Sequence, residues 1–131
     1  MAPAKVVDAS AVAALLFGEP DGPLVASRLG DGQLTAPVLL GFELGNVYLV
    51  KARRHPEQRA ALAAAFSLRH RLAIGEAAVD HDAVVEPAGA TGLTAYDASY
   101  LWLARELGAE LVTLDRKLAA AAGRIRIRVA R

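Results

Sequence analysis

The residues Lys5-Val6-Val7-Asp8-Ala9-Ser10 indicate the architecture of the chain, because they lead from a predicted buried strand into a helix through a single carboxylate. Its two valines are β-branched, which is typical of the central strand of a parallel sheet. We predict a strand over residues 5–8 and a helix that Ser10 opens and that continues to Phe17, where Gly18 ends it. The first acidic residue of the chain is therefore expected at the end of a strand.

Short apolar runs and longer helical stretches alternate along the rest of the chain, a pattern typical of a parallel sheet covered by helices on both faces. We predict a three-layer α/β/α sandwich around a parallel sheet of about four to five strands, built as one domain over residues 1–131. Further strands are predicted at residues 33–36, 72–74 and 110–114, with an edge strand at 125–129. Helices are predicted at residues 21–29, 38–54, 94–107 and 117–122, and from Pro56 to about His70.

Proline and glycine shape two further predictions. Pro37 suits the first turn of the long helix, because an N–H at that position would have no helical partner. Another helix begins at about Asp80 and enters the segment 87–92, in which Pro and Gly interrupt the helical pattern. That segment is the best candidate for a mobile loop.

The composition is that of a globular domain: 54% of the 131 residues are hydrophobic and 22% are charged. The sequence has no cysteine, which excludes disulfides, zinc–thiolate sites, iron–sulfur clusters and thiol catalysis. The apolar stretch at the N-terminus meets Asp8 at once, so it is too short for a signal peptide or a membrane span. We expect a soluble, cytoplasmic protein that does not enter a membrane.

Positive charge is concentrated near the C-terminus, although the formal net charge is only +1. No acidic residue follows Asp115, and Arg53 and Arg54 end an earlier helical stretch. Such clusters attract phosphates, but they could equally be solvated faces, with arginines protecting an edge strand from aggregation. The basic residues after Asp115 are Arg116, Lys117, Arg124, Arg126, Arg128 and Arg131.

Four acidic residues from distant parts of the chain form the candidate site. Asp8 and Asp115 each follow a predicted strand, and Asp97 lies in the first turn of the helix that leads into the last of these strands. Ligands of parallel sheets bind beyond the carboxyl ends of the strands, so these carboxylates should share one crevice. Glu43 lies in the long helix among apolar residues, where a carboxylate needs a cation or hydrogen bonds to compensate its burial.

Each of these acids also has an ordinary structural interpretation as a helix cap, a partner of a helix dipole or a solvated side chain. Their joint pattern favours a metal site, because four clustered carboxylates would repel one another without a cation. Oxygen ligands select Mg²⁺ or Mn²⁺ over zinc, which prefers nitrogen and sulfur. Asn46, three residues after Glu43, is a candidate to orient a carboxylate or a metal-bound water.

Taken together, four pieces of the sequence resemble the PIN-domain ribonucleases, and within them the VapC toxins of bacterial and archaeal toxin–antitoxin pairs. The resemblance covers nearly the whole chain and rests on the order and spacing of the pieces, each of which is weak alone. The pieces are Val6-Val7-Asp8-Ala9-Ser10, Glu43 with Asn46, Thr94–Tyr100 and Leu111–Asp115.

This resemblance implies a parallel sheet between helices, a homodimer, and a hydrolase that cuts RNA endonucleolytically. It also implies that a cognate antitoxin binds and blocks the enzyme. The two auxiliary hydroxyls of the family correspond to Ser10 and Thr113. The acidic Mg²⁺ or Mn²⁺ site of the family corresponds to Asp8, Glu43, Asp97 and Asp115.

This chain departs from the family at one point. Many relatives carry a further acid shortly after the position of Asp115, whereas this chain has Arg116 and Lys117. The resemblance therefore does not extend to a full second metal site.

Two other functions stay open at this point. An aspartyl-phosphate enzyme would use Asp8 as its nucleophile, but no second acid follows two residues later and Glu43 would have no role. A PIN-like module that binds or regulates without cleaving would keep the same fold. The complete set of four acids argues against that module, and no residue pattern specifies the RNA target.

Overall fold

The structure, a computed structural model, describes residues 2–131 and contains a sheet of four parallel strands. The strands are β1 (Ala4–Val7), β2 (Gln33–Pro37), β3 (Gly75–Ala77) and β4 (Glu110–Val112). Their order in the sheet is β3-β2-β1-β4, and every neighbouring pair is parallel. Helices cover both faces of this sheet, so the predicted three-layer α/β/α sandwich is confirmed, with four strands.

Seven α-helices connect and cover the strands within the described residues. Short 3₁₀ turns flank the fourth of them, at Pro56–Gln58 and Leu68–Arg71. None of the described helices is both long enough and apolar enough to cross a membrane. The helices are α1 (Ala9–Leu16), α2 (Gly22–Leu29), α3 (Leu40–Arg54), α4 (Arg59–Ser67), α5 (His81–Thr91), α6 (Ala95–Leu107) and α7 (Arg116–Arg124).

Strand β1 lies inside the sheet and forms the centre of the core. Val6 and Val7 have no exposed surface, as predicted for a central strand. Val7, the last residue of β1, pairs with Val112, the last residue of β4. Because the two strands are parallel, the chain leaves both at the same edge of the sheet, where Asp8 and Asp115 follow.

Polar caps determine where the helices around this edge begin. Asp8, and not Ser10, caps α1 by accepting a hydrogen bond from the Ala11 N–H at 3.0 Å. Thr94 caps α6 as predicted, and Asp115 caps α7. The structural interpretation of Asp8 and Asp115 as caps is therefore correct, but each cap uses only one carboxylate oxygen, which leaves the second for other partners.

Two boundaries of the sheet differ from the prediction. Pro37 ends β2 instead of opening a helix, and α3 begins three residues later. Pairing of β2 with β1 stops at Thr35, so the absence of an N–H at Pro37 does not cost a hydrogen bond to β1. The third strand lies at Gly75–Ala77, after the predicted 72–74, because Ala73 has a positive φ of 53° that interrupts an extended strand.

Two predictions near the C-terminal half are also wrong. The segment 87–92 is not a loop, since Pro87 is buried inside α5 and Gly92, with φ 75°, ends that helix. Burial of the proline ring compensates the helical hydrogen bond that proline cannot make. Residues 125–129 do not form an edge strand: Arg126 has φ 62°, and only an isolated bridge joins Val129 to β4.

Candidate functional site

The four acidic residues lie around the edge of the sheet where β1 and β4 end. Asp8 directly follows β1, and Asp115 comes three residues after the end of β4. Asp97 and Glu43 lie in the first turns of α6 and α3. Burial is the largest cause that raises the pKa of Asp8, Glu43 and Asp97, and the neighbouring carboxylates raise each of these pKa values further. The structure thus brings the four predicted site residues into one electrostatic cluster.

Asp8 is the most enclosed of the four, with 5% of its surface exposed. Its Oδ1 accepts hydrogen bonds from Ser10 Oγ at 2.7 Å and from the Ala11 N–H at 3.0 Å, and its Oδ2 accepts one from Thr113 Oγ1. A carboxylate has about four acceptor positions, so one is left, on Oδ2. Burial and the charge of Asp115 together raise the pKa of Asp8 by more than these three hydrogen bonds lower it.

Ser10 and Thr113 hold Asp8 against the end of β4. Ser10 Oγ accepts a hydrogen bond from the Leu114 N–H at 2.9 Å, and Thr113 Oγ1 accepts one from the Asp115 N–H at 2.9 Å. The two hydroxyl oxygens are 3.3 Å apart. Each hydroxyl therefore donates to Asp8 and accepts from the segment that carries Asp115, which fixes the two carboxylates relative to each other.

Glu43 is positioned by Tyr100, a residue to which the sequence analysis assigned no role. The hydroxyl of this buried tyrosine on α6 donates to Glu43 Oε1 at 2.6 Å. Burial raises the pKa of Glu43, the tyrosine lowers it, and the charges of Asp97 and Asp8 raise it further. Burial and the hydrogen bond to Glu43 also raise the pKa of Tyr100, so its phenol keeps the proton that it donates.

The spacing of α6 offered a signal for this residue. Tyr100 lies three positions after Asp97, and residues three apart on a helix are neighbours on its surface. A large polar aromatic side chain one turn away from a site carboxylate could therefore have been assigned to the site.

The predicted orienting role of Asn46 stays a prediction. Asn46 is exposed on α3, whereas Glu43 is half-buried. Among residues 2–131, the hydrogen-bond partner of Glu43 is Tyr100 and not the amide of Asn46. A step of three residues turns the helix by about 300°, which is enough to direct the amide toward solvent here.

Asp97 and Asp115 lie close to a cation of the chain itself. Burial and the charge of Asp115 raise the pKa of Asp97, while the ammonium of Lys117 lowers it. Asp115 Oδ1 accepts hydrogen bonds from the Lys117 and Leu118 N–H groups at 2.9 and 3.1 Å. In the described part of the chain this leaves Asp115 Oδ2 and the carboxylate of Asp97 available to other partners.

The donor set fits a hard divalent cation. All four candidate ligands are carboxylates, and their mutual repulsion would be relieved by a positive ion. No three Asp, Glu, His or Cys side chains of residues 2–131 are already gathered as closely as the ligands of a bound ion. Binding of a cation therefore requires the carboxylate side chains to move closer to one another.

A groove of about 990 Å³ leads away from Thr113 and Asp115, between α2, α7 and the C-terminal residues. Four arginines line it together with the acidic residues Asp21, Glu110 and Asp115, so guanidinium groups lie next to the acidic cluster. Arg28 Nε is buried and has no hydrogen-bond partner within residues 2–131. Guanidinium groups that line a groove are suited to bind phosphate oxygens. The arginines that line the groove are Arg28, Arg116, Arg128 and Arg131.

Comparison with known proteins identified a matching family model and similar solved structures. The PIN domain family matches residues 5–124, a range that contains all four carboxylates. The crystal structure of PAE2754 from Pyrobaculum aerophilum matches with a TM-score of 0.74 and 31% sequence identity, over 92% of this chain and 87% of that chain. No match was found among curated proteins.

Proposed function

The chain belongs to the PIN-domain family, whose members are generally nucleases, and from this premise we propose that it is a metal-dependent endoribonuclease. Asp8, Asp97 and Asp115 would hold Mg²⁺ or Mn²⁺, and Glu43 would bind it directly or through water. The observation that carries the proposal is that four carboxylates from distant parts of the chain lie around the edge of the sheet where β1 and β4 end, where burial and neighbouring carboxylates raise the pKa of three of them. A bound cation relieves that unfavourable state.

The residues around the carboxylates would act by positioning them. A divalent ion at such a site lowers the pKa of a bound water and polarises the scissile phosphate. Ser10 and Thr113 orient Asp8 and favour its ionised form, and Tyr100 does the same for Glu43. The orientation of these carboxylates matters because a misplacement of about 1 Å in a reacting geometry can lower the rate about 100-fold.

The arginine-lined groove would bind the RNA backbone. Contacts from Arg28 and Arg128 to phosphates would neutralise charge and fix the register of the strand without reading its sequence. Arg116 and Lys117 stand where many relatives carry a further acid, so positive side chains would take the place of a second metal ion there. We therefore propose a single ion.

We further propose that the chain is the VapC-type toxin of a toxin–antitoxin pair and forms a homodimer. The four sequence pieces that resemble these toxins support the proposal. Leu49 and Val50, 41% and 47% exposed on α3, supply apolar surface that an antitoxin or a second copy would cover. Expression of the chain alone should arrest growth of a bacterial host, and expression of the Asp8→Asn variant should not.

A catalytically inactive PIN-like module is the second candidate. It is favoured by one observation, that no three potential ligands within residues 2–131 are already drawn together around an ion position. The aspartyl-phosphate enzyme has weaker support. Both oxygens of Asp8 accept hydrogen bonds and the residue is almost fully buried, which does not suit a nucleophile.

The test is cleavage of total cellular RNA by purified protein with Mg²⁺, with Mn²⁺ and with EDTA. Asp8→Asn and Asp97→Asn remove candidate ligands, and Asp31→Asn is the matched control, because Asp31 is exposed before β2 at the opposite edge of the sheet. We expect discrete cuts that disappear with EDTA and in both site variants but persist in the control. Cleavage that is indifferent to both site variants would exclude this carboxylate site as its source, and no cleavage with either metal would support the inactive module.

A further inference from the structure

The exposed aromatic side chains of this protein are confined to the neighbourhood of the carboxylates. The sequence has one Trp, three Tyr and three Phe. Phe42 is 79% exposed and Tyr96 is 70% exposed, whereas the others are buried or half-buried. Burial of large aromatic side chains is favourable, so two that stay in solvent beside a candidate site are available to pack on a ligand.

Both exposed aromatic residues directly precede a candidate ligand. Phe42 precedes Glu43 in the first turn of α3, and Tyr96 precedes Asp97 in the first turn of α6. Consecutive helical residues are rotated by about 100°, so each ring lies beside its carboxylate and not behind it. The hydrogen bond from Tyr100 to Glu43 joins the two helices at this point. The two rings therefore belong to the rim of one site.

Tyr96 also forms part of an apolar cleft of about 490 Å³. Val38, which is 50% exposed, and Val84 contribute to its walls, and Ser99 and His81 add polar groups. The volume falls within the range of about 300–1,000 Å³ that is common for sites of small organic groups. A flat heterocycle with a few polar edges suits such a cleft.

We propose that Tyr96 and Phe42 stack on unpaired bases of the RNA next to the scissile phosphate, with the cleft beside Tyr96 receiving one base. The inference rests on the proposed ribonuclease function and adds to it the two side chains that would contact the bases of the substrate. Unpaired bases stack on aromatic side chains with little regard to sequence, whereas paired bases are not accessible to them. The arginine groove on the other side of Asp115 supplies the phosphate contacts that such a strand also needs.

The test measures binding of a labelled single-stranded oligoribonucleotide, and of the same sequence in a duplex, by fluorescence anisotropy. All proteins carry Asp97→Asn, so that binding is measured without cleavage. Tyr96→Ala and Phe42→Ala should each raise the Kd for the single strand by about fivefold or more. Tyr96→Phe, which keeps the ring, should bind like the parent, as should the control Leu107→Ala at the far end of α6, where Leu107 is 45% exposed.

An oligoribonucleotide with abasic positions separates stacking from other effects. If the rings stack on bases, Tyr96→Ala and Phe42→Ala should have no further effect on the Kd of the abasic strand at the stacked positions. Equal loss of affinity with abasic and intact strands, or a parent that prefers the duplex, would overturn the proposal. So would alanine variants that bind RNA normally but lose an oligomeric state seen in the parent, because the rings would then cover a protein interface. Failure of the ribonuclease proposal itself would appear separately, as a wild-type protein that neither binds nor cleaves RNA.

Discussion

The Tyr100 hydroxyl donates a 2.6 Å hydrogen bond to Oε1 of Glu43, and it thereby joins two helices through residues that are 57 positions apart in the chain. Burial raises the pKa of the half-buried Glu43, and the hydrogen bond from Tyr100 lowers it. The same hydrogen bond fixes the orientation of the carboxylate. The contact leaves Oε2 available to another partner. Tyr100 is thus a positioning residue for the candidate site.

Replacement of Tyr100 by Phe tests this role. Loss of the donor should raise the pKa of Glu43 further, because the hydrogen bond favours the ionised carboxylate. The acidic limb of the pH–rate profile should move to higher pH, the rate should fall by about tenfold or more, and the free energy of unfolding should change by only about 1 kcal/mol. Tyr48→Phe is the control, since Tyr48 is a half-buried tyrosine of α3 that packs on Phe66. A pH–rate profile of Tyr100→Phe that matches the wild type would exclude the role.

Replacement of Thr113 by Val should damage both the site and the fold. Thr113 Oγ1 donates to Asp8 and accepts from the Asp115 N–H, and a valine of similar shape can do neither. We expect a loss of about 1–3 kcal/mol in the free energy of unfolding, because buried polar groups are left without partners. RNA cleavage should fall as well. Thr35→Val in β2 is the control, and equal stability of the two variants in urea denaturation would contradict the prediction.

The raised pKa values predict how stability depends on pH when no metal is present. A carboxylate whose pKa is higher in the folded state binds more protons when folded, so its contribution is complete below the unfolded value of about 4 and is lost as pH rises through the folded pKa. In EDTA, Asp97→Asn should therefore gain stability relative to wild type as pH rises above the unfolded value of about 4.

Metal should reverse this trend, because the ligands must be deprotonated to bind it. Mn²⁺ should raise the Tm of the wild type at about pH 7.5 and much less at about pH 5. The same Tm shift at both pH values, or an undiminished shift in Asp97→Asn, would show that Mn²⁺ binds elsewhere.

The arginine groove predicts the salt dependence of RNA binding. Arg28→Gln and Arg128→Gln should each weaken binding to all sequences alike and reduce the slope of log K against log salt by about one unit or slightly less. Arg53→Gln is the control, because Arg53 is exposed at the end of α3 that lies about 15 Å from Glu43 along the helix. A slope that changes in the control but not in Arg28→Gln would place the RNA elsewhere.

Those parts of the fold that depend on local chemistry were predictable from the sequence. Val6 and Val7 identified the central strand, Thr94 identified the start of α6, and Gly108, with φ 60°, ends that helix as predicted. The errors occurred where tertiary context overrides local preference. Pro87 is tolerated inside α5 because its ring is buried, and the apolar alternation of 125–129 does not make a strand because Arg126 turns the chain.

In the candidate site, too, some residues were predictable from the sequence and others were not. Asp8 and Asp115 were placed correctly because the ends of parallel strands share one edge of the sheet. Their hydroxyl partners came from a family resemblance, and their hydrogen bonds are visible only in three dimensions. Tyr100 and Arg28 were not predicted, because their surroundings are formed by residues that are distant in the chain. Tyr100 contacts Glu43, and Arg28 lines a groove together with α7 and the C-terminal residues.

Titration of Mn²⁺ into the metal-free protein at about pH 7.5, followed by calorimetry, tests most directly whether the four carboxylates form one cation site. We expect one ion per chain for the wild type and for Asp31→Asn, and loss of that binding in Asp8→Asn and in Asp115→Asn. Binding that survives in both site variants, or a wild type that binds no ion, would contradict it.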